Sequence, residues 1–115
     1  MKKFYYLETC DTCKRIMNEL GLQADVELRE IKSKPLNEEE VDRIAGKAGS
    51  YESIFSKRAR KFRALGLHEK ELFEKDYRHY LLEDYTFLKR PVLETENAAI
   101  CGNSKKVVEL MKASA

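Results

Sequence analysis

The chain has 115 residues, and 22 Lys+Arg against 20 Asp+Glu leave it at a formal +2. That length suits one domain with one core, and a composition of 43% hydrophobic and 37% charged residues is too apolar for a disordered chain and too polar for a membrane-embedded one. Apolar runs such as residues 4–7 fall far short of the roughly 18 residues a spanning helix needs, and with no signal peptide visible after Met1-Lys2-Lys3 the expected location is cytoplasmic.

Taken in chain order, Phe4-Tyr5-Tyr6-Leu7 is short and aromatic and predicts a buried strand. Thr9-Cys10-Asp11-Thr12 offers capping side chains, and Cys13, Ile16, Met17 and Leu20 follow at helical spacing until Gly21 stops the helix. Alternation over 26–31 predicts a second strand, so residues 3–31 read as a βαβ unit with parallel strands. Asn37 with Glu40 resembles a capping box, followed by a helical stripe of Val41, Ile44, Ala45 and Ala48. Further short helices are expected over 51–55, 59–65, 69–73 and 77–85, broken by Gly49-Ser50 and Gly66, which makes about 36–85 a helical insertion. Residues 91–94 and 98–101 read as a hairpin around Glu96-Asn97. Ser104 then caps a last helix with Val107, Val108 and Met111 on one face.

Cys10-Asp11-Thr12-Cys13 lies after a strand and at the start of a helix. Amides at a helix N-terminus favour a thiolate, and a second thiol one turn on can resolve a mixed disulfide. The alternatives are half of a zinc site and two incidental core thiols. Zinc needs further ligands, and only Cys101, His68 and His79 remain, none in paired spacing. Both histidines read as surface residues, and Cys101 as a small core hydrophobe. Thr9 and Thr12 flank the thiol, where a hydroxyl or amide would tune it, whereas Asp11 would raise its pKa. Arg90-Pro91 opens the strand after the insertion; it is either an ordinary strand start or a cis-proline that turns Arg90 toward the thiols. Lys57, Arg58, Arg60, Lys61 and Arg63 cluster in sequence and read as a solvated helix face, with Ala59, Phe62 and Leu65 toward the core and the acids at 69–76 offsetting the charge. A charge of +2 with no base-reading motif argues against direct nucleic-acid binding.

The strand-Cys10-x-x-Cys13-helix opening, the insertion carrying residues 58–67, Phe87-Leu88-Lys89-Arg90-Pro91-Val92 and the closing Gly102-Asn103 together resemble the ArsC/Spx family over nearly the whole chain. The resemblance implies an α/β, thioredoxin-like (glutaredoxin-like) fold: β-α-β … β-β-α, a four-stranded mixed sheet with the helical insertion after the second strand, in a single domain. It implies a thiol–disulfide oxidoreductase similar to glutaredoxin-coupled arsenate reductases, with Cys10 as nucleophile, Cys13 as resolving thiol and Arg90 as anion partner. Pro91, Thr9 and Thr12 would line the substrate site, and Arg58 or Arg60 would stand in for the insertion's arginine, whose register position is Ser56. The family's last arginine falls on Gly102. No metal and no bound cofactor are implied; electrons would come from glutathione with glutaredoxin, or from thioredoxin. The implied partners are a small oxyanion or thiol substrate and a redox protein. The Spx branch implies instead a non-catalytic regulator that contacts the RNA polymerase α-subunit, with Cys10-x-x-Cys13 as an oxidation switch.

Overall fold

The computed structural model describes residues 2–22 and 24–114. Along the chain run β1 (Lys2–Tyr6), α1 (Asp11–Leu20), β2 (Val26–Glu30), α2 (Glu38–Ala48), α3 (Arg60–Ala64), α4 (Glu74–Glu83), β3 (Val92–Glu94), β4 (Ala99–Cys101) and α5 (Lys105–Ser114). They form two compact units, Met1–Pro35 with Arg90–Ala115, and Leu36–Lys89.

The first unit is the expected four-stranded mixed sheet, in the order β2-β1-β3-β4. β1 runs parallel to β2 and antiparallel to β3, and β3 runs antiparallel to β4. Because side chains alternate across a sheet, Phe4 and Leu93, opposite one another, share one face. Ile16 of α1 and Val108 and Met111 of α5 close on them with Val26 to make the core. On the other face Tyr5, Val92 and Glu94 are buried. Glu94 is 0% exposed and accepts a hydrogen bond of 2.6 Å from the Tyr5 hydroxyl, a partner that offsets the cost of burying a carboxyl group. Gly21, at φ 53, ends α1 in the left-handed conformation, where a side chain would be strained. Ser104 Oγ accepts the Val107 N–H at 3.2 Å and starts α5, as its position in the sequence predicts.

In the second unit the predicted capping box forms. Asn37 Oδ1 accepts the Glu40 N–H at 2.9 Å, and Glu40 Oε1 accepts the Asn37 N–H at 3.0 Å. Asn37→Ala is expected to cost about 1 kcal/mol, the usual worth of an N-cap side chain, read as a lower urea midpoint at unchanged slope; an unmoved midpoint would show that the cap contributes nothing. Arg78 of α4 grips Asp42 of α2 through Nε at 2.8 Å and Nη2 at 3.2 Å, while the Tyr51 hydroxyl donates to the same carboxylate at 2.6 Å. The bonds from Arg78 and Tyr51 hold the Asp42 carboxyl down at about 2. Beneath them Phe55 packs against Phe62, Tyr77 and Phe87 at ring-centroid distances of 5.9, 5.0 and 5.0 Å.

Several expectations are corrected. Residues 69–73 do not form a helix: a single 3-10 turn at Leu67–Glu69 precedes an extended run. The cause is Asp76, whose carboxylate takes the Phe73 N–H at 2.8 Å, so that the helix begins only after Phe73. Hence α4 starts at Glu74, before the predicted 77, and 51–55 holds only the 3-10 turn Glu52–Ile54. Leu65 does not face the core but is 53% exposed, because α3 ends at Ala64 and the chain turns away at Gly66. The basic cluster is offset by Glu52, paired with Lys57, and Asp84, paired with Lys61. Cys101 is half-buried, since β4 is an edge strand. No helix among the described residues is long and apolar enough to cross a membrane.

Candidate active site

Residues 7–10 turn the chain from β1 into α1, and the Cys10 N–H donates to the Leu7 carbonyl at 3.0 Å. Cys10 is the N-cap residue, extended at φ −95 and ψ 108, and no conventional side-chain cap bond is made there. Its carbonyl accepts the Lys14 N–H at 3.2 Å, the first helical bond. The helix-end amides that lack an intrahelical partner are thus left to the sulfur.

Burial pushes the half-exposed Cys10 thiol up. The Cys13 amide, the Cys13 thiol, the Arg90 guanidinium and the Thr12 amide together outweigh that cost, and the Cys10 pKa ends below the ordinary thiol value. Cys13, fully buried, behaves in the opposite way. Burial, then the hydrogen bond and charge of Cys10, push its pKa up to about 11, against the opposing pull of the Leu7 amide and Arg90. Of the two sulfurs, Cys10 is therefore the one that gives up its proton first. The two sulfurs lie one helical turn apart, with Cys10 at the N-cap and Cys13 buried inside α1.

Arg90 comes from the far end of the chain, yet β3 pairs antiparallel with β1 and returns it to the Cys10 turn. The Arg90–Pro91 peptide is cis. Asn103 Nδ2 donates to the Arg90 carbonyl at 3.3 Å, and the Gly102 N–H donates to the Pro91 carbonyl at 3.0 Å. Gly102 sits at φ 111, a backbone conformation closed to an arginine without strain.

Of the predicted site residues, the structure brings together Cys10, Cys13 and Arg90, with the Thr12 amide directed at the sulfur. Pro91 is buried beside Arg90, and Thr9 is exposed within the turn. Arg58 and Arg60 belong to the second unit, Arg58 in a turn and Arg60 at the first position of α3, and both are exposed. The Leu7 amide and the Asn103 carboxamide were not predicted. The spacing of Asn103 from Pro91 signals such a contact only once β3 and β4 are known to form a hairpin. Among the described residues no group of three or more His, Cys, Asp and Glu side chains is gathered as a metal-binding set.

The sequence model of the ArsC family matches residues 5–111. Comparison with curated protein sequences gives no match. Among solved structures, an arsenate reductase from Vibrio cholerae superposes with a TM-score of 0.78 at 16% identity, over 94% of this chain and 95% of that one. An arsenate reductase (ArsC) related protein from Brucella melitensis gives 0.72 at 23% identity, over 95% and 92%. The YffB protein gives 0.78 at 19% identity, over 96% and 98%. Identities this low establish a shared thioredoxin-like fold.

Proposed function

We propose, for a chain that belongs to the ArsC family, that it is a thiol–disulfide oxidoreductase acting on a small oxyanion or thiol substrate. The observation that carries this reading is the arrangement of the thiols, with Cys10 at the N-cap of α1, Cys13 buried one turn on and Arg90 returned to the same turn by β3. There the Cys10 pKa is lowered, and burial pushes that of Cys13 up to about 11. The Cys10 thiolate attacks the substrate. With a disulfide it forms a mixed disulfide and expels a thiolate. With an arsenate-like oxyanion it displaces hydroxide and forms a sulfur–arsenic bond, with Arg90 facing the anion. Cys13 then loses its proton and attacks the Cys10 sulfur. The Cys10–Cys13 disulfide forms, and the substrate leaves carrying the two electrons the thiols have given up. A dithiol donor of the thioredoxin kind, or glutathione with glutaredoxin, restores both thiols. As the resemblance implies, Pro91, Thr9 and Thr12 are assigned to the substrate site.

Labelling tests this reading. Iodoacetamide at pH 7 is expected to modify Cys10 first, because its thiolate persists below the pH at which a free thiol is protonated, while Cys13 stays unlabelled. Peptide mapping that found Cys10 no faster than Cys101 would overturn it.

Gly102, at the position of the family's last arginine, favours a second reading, a redox-switched regulator of the Spx kind without turnover. A pull-down of RNA polymerase α-subunit that depends on the oxidation state of Cys10 and Cys13, with no reductase activity, would select it.

A further inference from the structure

We propose that Glu30, at the end of β2, is the positioning residue for the Cys10 turn, and that its carboxylate holds the backbone in the arrangement that activates the thiol. The inference rests on the reading of Cys10 as the nucleophile.

Glu30 is the last residue of β2 and lies opposite Tyr6, the last residue of β1. Past this pair the Ile31 N–H still reaches the Tyr6 carbonyl at 2.9 Å, and then the two chains separate. The carboxylate spans that divergence. Oε2 accepts the Glu8 N–H at 3.0 Å, on the segment leading to Cys10. Oε1 accepts the Lys32 N–H at 3.0 Å, the Ser33 N–H at 2.7 Å and the Ser33 hydroxyl at 2.8 Å. One side chain thus takes four donors and ties the β1–α1 turn to the loop after β2. The Glu8, Ser33 and Lys32 donors hold the carboxyl at about 2, so Glu30 stays ionised over the whole pH range in which a thiol titrates.

What it holds is the frame of the thiol. Glu8 follows Leu7, whose carbonyl takes the Cys10 N–H and whose amide faces the Cys13 sulfur. The amides of Thr12 and Cys13 reach the Cys10 sulfur only while the turn delivers Cys10 to the N-cap position. Positioning and plain electrostatics predict opposite signs here. A nearby negative charge raises a thiol pKa, so removing the charge alone would move Cys10 down. Loss of the positioning contact removes the stabilising amides from the thiolate and moves it up.

The experiment is the pH dependence of iodoacetamide alkylation at Cys10, in the full chain, for the parent, Glu30→Ala and Glu30→Gln. Glu30→Ala is expected to raise the titration midpoint and slow labelling at pH 7 by about threefold to tenfold, tenfold corresponding to one pKa unit. Glu30→Gln keeps one acceptor oxygen and restores part of the rate. A folded Glu30→Ala chain whose Cys10 titrates at the parent midpoint or below overturns the inference. Should Glu30→Ala fail to fold, Glu30→Asp keeps the charge but withdraws the carboxylate from the Glu8 N–H, and the same upward shift is expected; an unmoved midpoint there overturns it equally. A depressed parent midpoint with unmoved variants overturns this inference alone, whereas a parent Cys10 that titrates as an ordinary thiol overturns the proposed function with it.

Discussion

Cys10→Ser is expected to lower reductase turnover by at least about a thousandfold, because a serine hydroxyl stays protonated where the thiolate is the attacking species. The Cys13 and Thr12 amides and Arg90 lower the Cys10 pKa, but no such shift brings an alcohol into the neutral range. The measurement is steady-state reduction of arsenate and of a small disulfide, each with glutathione plus glutaredoxin and with thioredoxin as donor. Cys13→Ser should behave differently: the first attack survives, the mixed species accumulates, and turnover then depends on an external thiol. Cys101→Ser serves as the control, since Cys101 lies on an edge strand outside the pair. Undiminished turnover in Cys10→Ser would place the nucleophile elsewhere and end the proposal.

Phe55→Ala carries the largest expected effect on stability, about 3–5 kcal/mol. Phe55 is 1% exposed, and its ring meets Phe62, Tyr77 and Phe87, so truncation removes the shared neighbour of three aromatic rings. Aromatic contacts of this kind add to the area term, and the flanking rings cannot all collapse into the space. Against the 5–15 kcal/mol typical of a whole domain, the variant would be near its folding limit at 37 °C. Urea unfolding of parent and variant measures it, and a loss below about 1 kcal/mol would mean that the cluster repacks freely.

The local elements were readable because their signals are local. Gly21 ends α1 and Asn37 with Glu40 opens α2 where the sequence pattern predicts, since each acts within one helical turn. The placement of Cys10-x-x-Cys13 was readable for the same reason: strand, turn, Cys10 and helix follow one another within a dozen residues. The failures lie where one side chain overrides a pattern or where the partner is remote. Leu72 and Phe73 suit a helix by spacing, but Asp76 takes the Phe73 amide and starts the helix later. Glu94 alternates as an ordinary strand residue, and nothing near it announces that Tyr5, 89 positions away, binds it in the interior. Arg58 and Arg60 look alike in the sequence, yet α3 begins only at Arg60, which leaves Arg58 in a turn. Glu30 closes a strand, and its grip on Glu8 depends on the parallel pairing of β1 with β2.

The strand order β2-β1-β3-β4 also has a consequence for synthesis. β1 is made before its inner neighbour β3, which begins only at Val92, after the whole of Leu36–Lys89. Until then β1 can ladder with β2 alone, and its other edge stays open to adventitious strands. Arg90 arrives with β3, so a nascent Cys10 lacks the cation that helps to ionise it in the finished fold. Pairing across so long a stretch is slow to form. The Cys10 sulfur therefore meets all the groups that lower its pKa only after β3 has been made and the sheet around it can close.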